Sequence, residues 1–85
     1  MRRINVAAYE ASGGRYVMGI YNGISHEKFS FVEACVIRKN ELPNGKSLED
    51  GLEEMYLKDP NKGTRVIPMV DILSPQPHRF TFNVK

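Results

Sequence analysis

Residues 4 to 21 alternate in character on either side of Ser12-Gly13-Gly14, and this pattern constrains the chain more than any other feature. Ile4-Asn5-Val6-Ala7-Ala8-Tyr9-Glu10-Ala11 and Arg15-Tyr16-Val17-Met18-Gly19-Ile20-Tyr21 each carry the period of two expected of a strand. A glycine turn between two such runs makes an antiparallel hairpin. A three-residue loop pairs Val6 with Ile20 and Ala8 with Met18, which gathers Ile4, Val6, Ala8, Tyr16, Met18 and Ile20 on one face. The opposite face then shows Asn5, Ala7, Tyr9, Val17 and Tyr21. A slip of one residue would exchange the two faces, so register decides which set becomes core.

The rest of the chain extends this hairpin. Asn22-Gly23 is expected to form a second turn, since both residues tolerate positive φ. Lys28 to Arg38 is rich in Phe, Val and Ile and reads as a third strand, although Ser30 and Glu33 also have the spacing that caps a short helix. After Leu42-Pro43-Asn44-Gly45, Ser47 and Asp50 start a helix that places Leu48, Leu52, Met55 and Tyr56 on one face and ends near Lys58. Asp59-Pro60-Asn61-Lys62-Gly63 stops it. Thr64 to Leu73 reads as a fourth strand, which Pro68 assigns to a sheet edge or a bulge. Ser74-Pro75-Gln76-Pro77 is a stiff connector, and Arg79 to Val84 alternates as a fifth strand. The predicted order is β-β-β-α-β-β: an α+β fold in which an antiparallel sheet carries one amphipathic helix on one face.

At 85 residues, with 41% hydrophobic and 26% charged, the chain builds one modest core in a single compact domain spanning 1–85. The same balance excludes collagen, low-complexity disorder and a coiled coil. Cys35 is the single cysteine, so no internal disulfide forms, as suits a reducing compartment. The start, Met1-Arg2-Arg3-Ile4-Asn5-Val6, lacks the apolar run of a signal peptide, and no stretch is apolar enough to span a bilayer. The expectation is a cytoplasmic chain, complete as it stands, with no membrane partner.

The net charge of +2 implies no particular partner, but its distribution is uneven. Residues 1 to 40 carry six cations and three anions, residues 41 to 60 two and six, and residues 61 to 85 four and one. The acid concentrates on the helix, where Glu49, Asp50, Glu53 and Glu54 oppose the apolar stripe and could dock a basic surface. The same acids suit a solvated helix face and complement the helix dipole. Tyr9, Val17 and Tyr21, spaced by Ala7 and Gly19, are expected as an exposed aromatic patch on the hairpin's outer face. Tyrosine favours interfaces, because its ring supplies contact area and its hydroxyl tolerates water.

A nucleic-acid partner is the alternative. Arg15, Lys28, Arg38, Lys39, Arg65 and Arg79 arise from strands and turns and could gather on the sheet face away from the helix. Phe29 with Phe31, or Phe80 with Phe82, could stack bases, but Phe29 and Phe31, facing Tyr16, Met18 and Ile20, read more simply as core. A third reading uses Glu10 on the first strand, Glu53 or Glu54 on the helix, and Asp71 on the fourth strand. That order is similar to the order of acids in ribonuclease H-like nucleases, and the similarity implies divalent ions serving phosphodiester hydrolysis.

Other polar residues form no recognisable site. His26 and His78 lack paired ligand spacing, so no metal site is expected. Cys35 in an apolar strand reads as a small hydrophobe, Ser12-Gly13-Gly14 lacks the ending of a phosphate loop, and Pro75-Gln76-Pro77 is too short for a Pro-x-x-Pro ligand. No cofactor is implied. The expectation is therefore a non-enzymatic interaction protein, an adaptor or inhibitor that occludes a surface on a protein partner, or on a second copy of itself. Small stand-alone chains of this kind include those carried by phages and other mobile elements.

Overall fold

The computed structural model describes residues 1–84. Lys85, one of the cations counted above, lies outside them. Strands β1 (Arg2–Ala11), β2 (Arg15–Ser25) and β3 (Lys28–Arg38) precede helix α1 (Leu48–Lys58), and β4 (Gly63–Pro68) and β5 (His78–Val84) follow it. All five strands form one antiparallel sheet in the spatial order β4-β3-β2-β1-β5, the α+β arrangement that the alternation and the helix stripe imply.

The first hairpin has the expected register: Ala8 faces Met18, and Gly13 and Gly14 turn the chain with φ of +87° and +68°. Residues 28–38 are strand. The second turn lies elsewhere than predicted, because Ser25 pairs with Lys28 and the reversal falls on His26 and Glu27, with φ of +51° and +60°. Asn22-Gly23 instead absorbs a register shift between Tyr21 and Ile24, where β2 holds one residue more than β3. A second shift lies between Met18 and Ile20, where β3 holds the extra residue, and Glu33 takes φ +49°. This bulge explains Gly19. A Cβ placed there would fall on the Cβ of Ala34, 2.7 Å from its Cα and 3.0 Å from the Val32 carbonyl oxygen.

The bulge also reverses which face the start of β3 presents. Cys35 and Ile37 join Ile4, Val6, Ala8, Tyr16 and Met18 beneath the helix, whereas Phe31 and Phe29 turn to the opposite face with Tyr9 and Tyr21. Phe31 is core, as expected, but it does not face Tyr16, Met18 and Ile20; one extra residue inverts every side chain beyond it.

Helix α1 packs on the first of these faces. The Ser47 hydroxyl accepts from the Asp50 amide at 3.1 Å, Glu49 and Asp50 occupy the positive end of the dipole, and Lys58 the negative end. Leu52 and Tyr56 are fully buried, with Leu48 and Met55 packed beside them; each of the two buried side chains contributes about 1.5–3 kcal/mol of burial. The Tyr56 hydroxyl donates to the Glu33 carbonyl at 2.6 Å, and its ring stacks on Phe82 at 5.6 Å. Gly51 lies on the buried side, where an added Cβ would touch Pro43 at 3.4 Å, an ordinary contact. Gly51→Ala is therefore expected to raise stability by about 0.5–1 kcal/mol through helix propensity, read as a higher urea midpoint with unchanged slope.

The second core, Ala7, Tyr9, Ala11, Val17, Phe31, Ala34 and Ile67, lies on the face without a helix. The sheet covers it by bending. Tyr9 pairs with Val17, and Phe29 pairs with Ile24 far along β2, yet the Tyr9 and Phe29 rings are 5.4 Å apart. The two bulges fold the β2–β3 hairpin over this face, as bulges increase local bend and twist. The chain after β4 fastens the fold. Met69 donates to the Glu27 carbonyl, Ser12 to the Asp71 carbonyl, and Leu73 to the Glu10 carbonyl, each at 2.8–2.9 Å. The predicted fourth strand through Leu73 thus ends at Pro68, and Met69–Asp71 is a 3-10 turn. β4 is an edge strand, as Pro68 indicates.

Candidate binding groove

The bend separates two strands that begin as neighbours. β1 pairs with β2 from Ala7↔Gly19 to Ala11↔Arg15, and beyond Gly19 the second strand follows β3 away while β1 continues beside β5. A cleft of about 450 Å³ opens there, lined by Asn5, Val6, Ala7, Ile20, Tyr21, Arg79, Phe80 and Thr81. Strand parity places Asn5, Ala7, Tyr21, Arg79 and Thr81 on the face opposite the helix, since Arg79 pairs with Ala7, Thr81 with Asn5, and Tyr21 with Phe31. The Thr81 hydroxyl donates to Asn5 Oδ1 at 3.1 Å across the β1–β5 seam. Tyr21 is 40% exposed and lies edge-on to Phe29 at 5.5 Å and Phe31 at 5.8 Å. Arg79 is exposed and makes no ion pair among the described residues. Its charge reaches Tyr9, whose phenol is pushed up by burial, drawn back by Arg79 and raised further by Tyr21.

The expected hairpin patch is corrected at two of its three residues. Val17 is wholly buried and Tyr9 is 8% exposed, because the folded-over β3 places Phe29 and Phe31 against them. Only Tyr21 remains open, at the groove. On the helix, Glu49, Asp50 and Glu53 are exposed, but Glu54 pairs with Lys46 and reaches Lys58, and Glu49 lies 2.9 Å from His78 Nδ1. Of the four predicted acids, Glu54 thus has lysine counter-charges, and a hydrogen bond from Lys46 holds its carboxyl below its usual range.

Strand parity places four of the six basic residues, Arg15, Arg38, Arg65 and Arg79, on the sheet face away from the helix. Arg15 and Arg38 are cross-strand neighbours, Lys28 closes the other hairpin, and Lys39 pairs with Glu10 beside the Tyr16 ring. Arg65 is folded onto the Asn61 and Thr64 carbonyls, and Arg79 lines the groove. Phe80 and Phe82 stack on each other at 5.9 Å on the helix side, where Phe82 is buried. Of the three acids of the nuclease-like order, Glu10 is paired with Lys39 and Asp71 sits in a 3-10 turn. Among the described residues no group of three or more His, Cys, Asp or Glu could hold a metal.

Cys35 is buried beside Asp59, and desolvation, the Asp59 charge and its hydrogen bond push the thiol up to about 11. Burial, with lesser contributions from Glu33 and Cys35, pushes the Tyr56 phenol up to about 12. Both groups hold their protons more tightly folded than unfolded. Their contribution is complete below their ordinary values of 9.0 and 10.0 and is lost as pH rises towards 11 and 12. The urea midpoint is therefore expected to fall above pH 9, and in Cys35→Ala the fall should begin nearer pH 10.

Asn5, Ala7 and Thr81 were not foreseen at this site. Gly19 was the available signal, because a glycine inside a strand marks a bulge or a close backbone approach. No protein-family model, no curated protein and no solved structure matches this chain. No helix among the described residues is long and apolar enough to cross a membrane.

Proposed function

We propose that this chain is a non-enzymatic interaction module, an adaptor or inhibitor that engages a protein partner through the groove between β1 and β2. One observation carries the reading: an aromatic ring, Tyr21, and an uncompensated guanidinium, Arg79, flank a cleft whose lining contains no carboxylate, histidine or thiol. Tyr and Arg are the side chains most often responsible for binding energy at protein interfaces. The Tyr21 phenol and the Thr81 hydroxyl have no carboxylate, histidine or lysine beside them in the lining to serve as their base. The exposed acids Glu49, Asp50 and Glu53 lie on the helix, on the opposite side of the sheet, and serve a second contact or solubility.

The test is capture of partners from source-cell lysate, with and without nuclease, on wild-type, Tyr21→Ala and Arg79→Glu protein. Each variant is expected to stay folded, since both side chains are substantially exposed, and to retain a nuclease-resistant protein at least about tenfold less well. Equal retention by all three proteins would remove the groove as the binding site. Nucleic acid retained by wild type alone, with steep loss in salt, would favour the basic-residue alternative, in which Arg79 also takes part.

A further inference from the structure

We infer that the groove's occupant is an extended acidic segment of the partner, added to the sheet as a strand between β1 and β2. This inference rests on the reading of the groove as a protein-docking site. Arg2–Val6 of β1 pairs with β5 on its outer side, and Ile20–Ser25 of β2 pairs with β3, yet these two stretches have no pairing with each other. A strand directs its N–H and C=O groups to both neighbours, so each stretch presents an unpaired backbone row to the gap. An extended chain is the ligand shape that matches two such rows, and main-chain hydrogen bonding is how strand addition gains affinity.

Charge selects the kind of segment. No Asp or Glu lines the cleft, Arg79 is free of ion pairs among the described residues, and Arg3 lies on the same strand face two positions beyond Asn5. Carboxylates on alternate residues of the added strand would meet Arg79 and Arg3, while the residues between them would face Ile20 and Phe80.

The experiment is selection of random dodecapeptides on the immobilised intact chain, followed by titration of the enriched peptides and of a twelve-nucleotide oligothymidylate. Enriched peptides should carry Asp or Glu, lack Pro across a central five-residue stretch, and bind Arg79→Glu protein at least about tenfold more weakly. Methylating alternate backbone nitrogens of such a peptide should abolish binding, and amide-exchange protection should rise at Asn5 and Tyr21. Enrichment of Pro-rich or basic peptides, or unchanged affinity after methylation, would overturn strand addition even if Tyr21→Ala and Arg79→Glu still lose the cellular partner. Binding of oligothymidylate at Tyr21 and Arg79 with no peptide enriched would overturn both readings.

Discussion

Tyr56→Ala is expected to lower the unfolding free energy by about 3–5 kcal/mol, a large share of the total stability of a domain this size. Three kinds of contact converge on the side chain. Its ring is 1% exposed and stacks on Phe82 with an interplanar angle of 11°, and Lys62 Nζ lies 4.9 Å from the ring centroid. Its hydroxyl satisfies the carbonyl of Glu33, the residue at the β3 bulge. Tyr56→Phe separates these contributions. It keeps the ring but leaves that carbonyl without its donor, at an expected cost of about 1–3 kcal/mol. Urea unfolding followed by circular dichroism measures both. If Tyr56→Phe matched wild type, the hydroxyl would have no part in holding the bulge.

Gly19→Ala is the second large effect, about 1–3 kcal/mol, and it has a different cause. The obstruction is the Ala34 backbone and Cβ together with the Val32 carbonyl, so no side-chain rotation relieves it. β2 and β3 must move apart at the bulge. Ala34→Gly in the same chain removes the Cβ contact but not the approach to the Ala34 Cα, and is expected to recover part of the loss; the double-mutant cycle reports the coupling directly. Because Ile20 and Tyr21 follow Gly19 immediately, Gly19→Ala is also expected to weaken partner capture even in the fraction that remains folded. Loss of stability with unimpaired capture would show that the bulge supports the core alone.

These two residues mark the limits of what the sequence conveys. The first hairpin, its register, the helix at 48–58 and the edge position of β4 follow from period, capping and Pro68, all local signals. The faces of Phe29 and Phe31 do not, because one extra residue at Glu33 inverts parity and positive φ at a glutamate has no sequence marker. Asn22-Gly23 has the composition of a turn, but His26 and Glu27 form it, since pairing of β3 with both β2 and β4 fixes where the strand begins. The groove was legible only in pieces. Tyr21 belonged to one expected surface and Arg79 to another, and the bend that brings them to one cleft is a tertiary event arising from two register shifts.

The seam between β1 and β5 bears on how the chain is made. Thr81 and Asn5 are 76 residues apart, so the outer side of β1 can be covered only after nearly the whole sequence has left the ribosome. Closing so long a loop is slow compared with forming the β1–β2–β3 meander. Throughout that interval β1 offers a bare edge to any neighbouring nascent chain, a recognised route to aggregation. Arg3, near its start, places positive charge on that edge when it is least protected, while Arg2 is already paired with Glu33 of the meander.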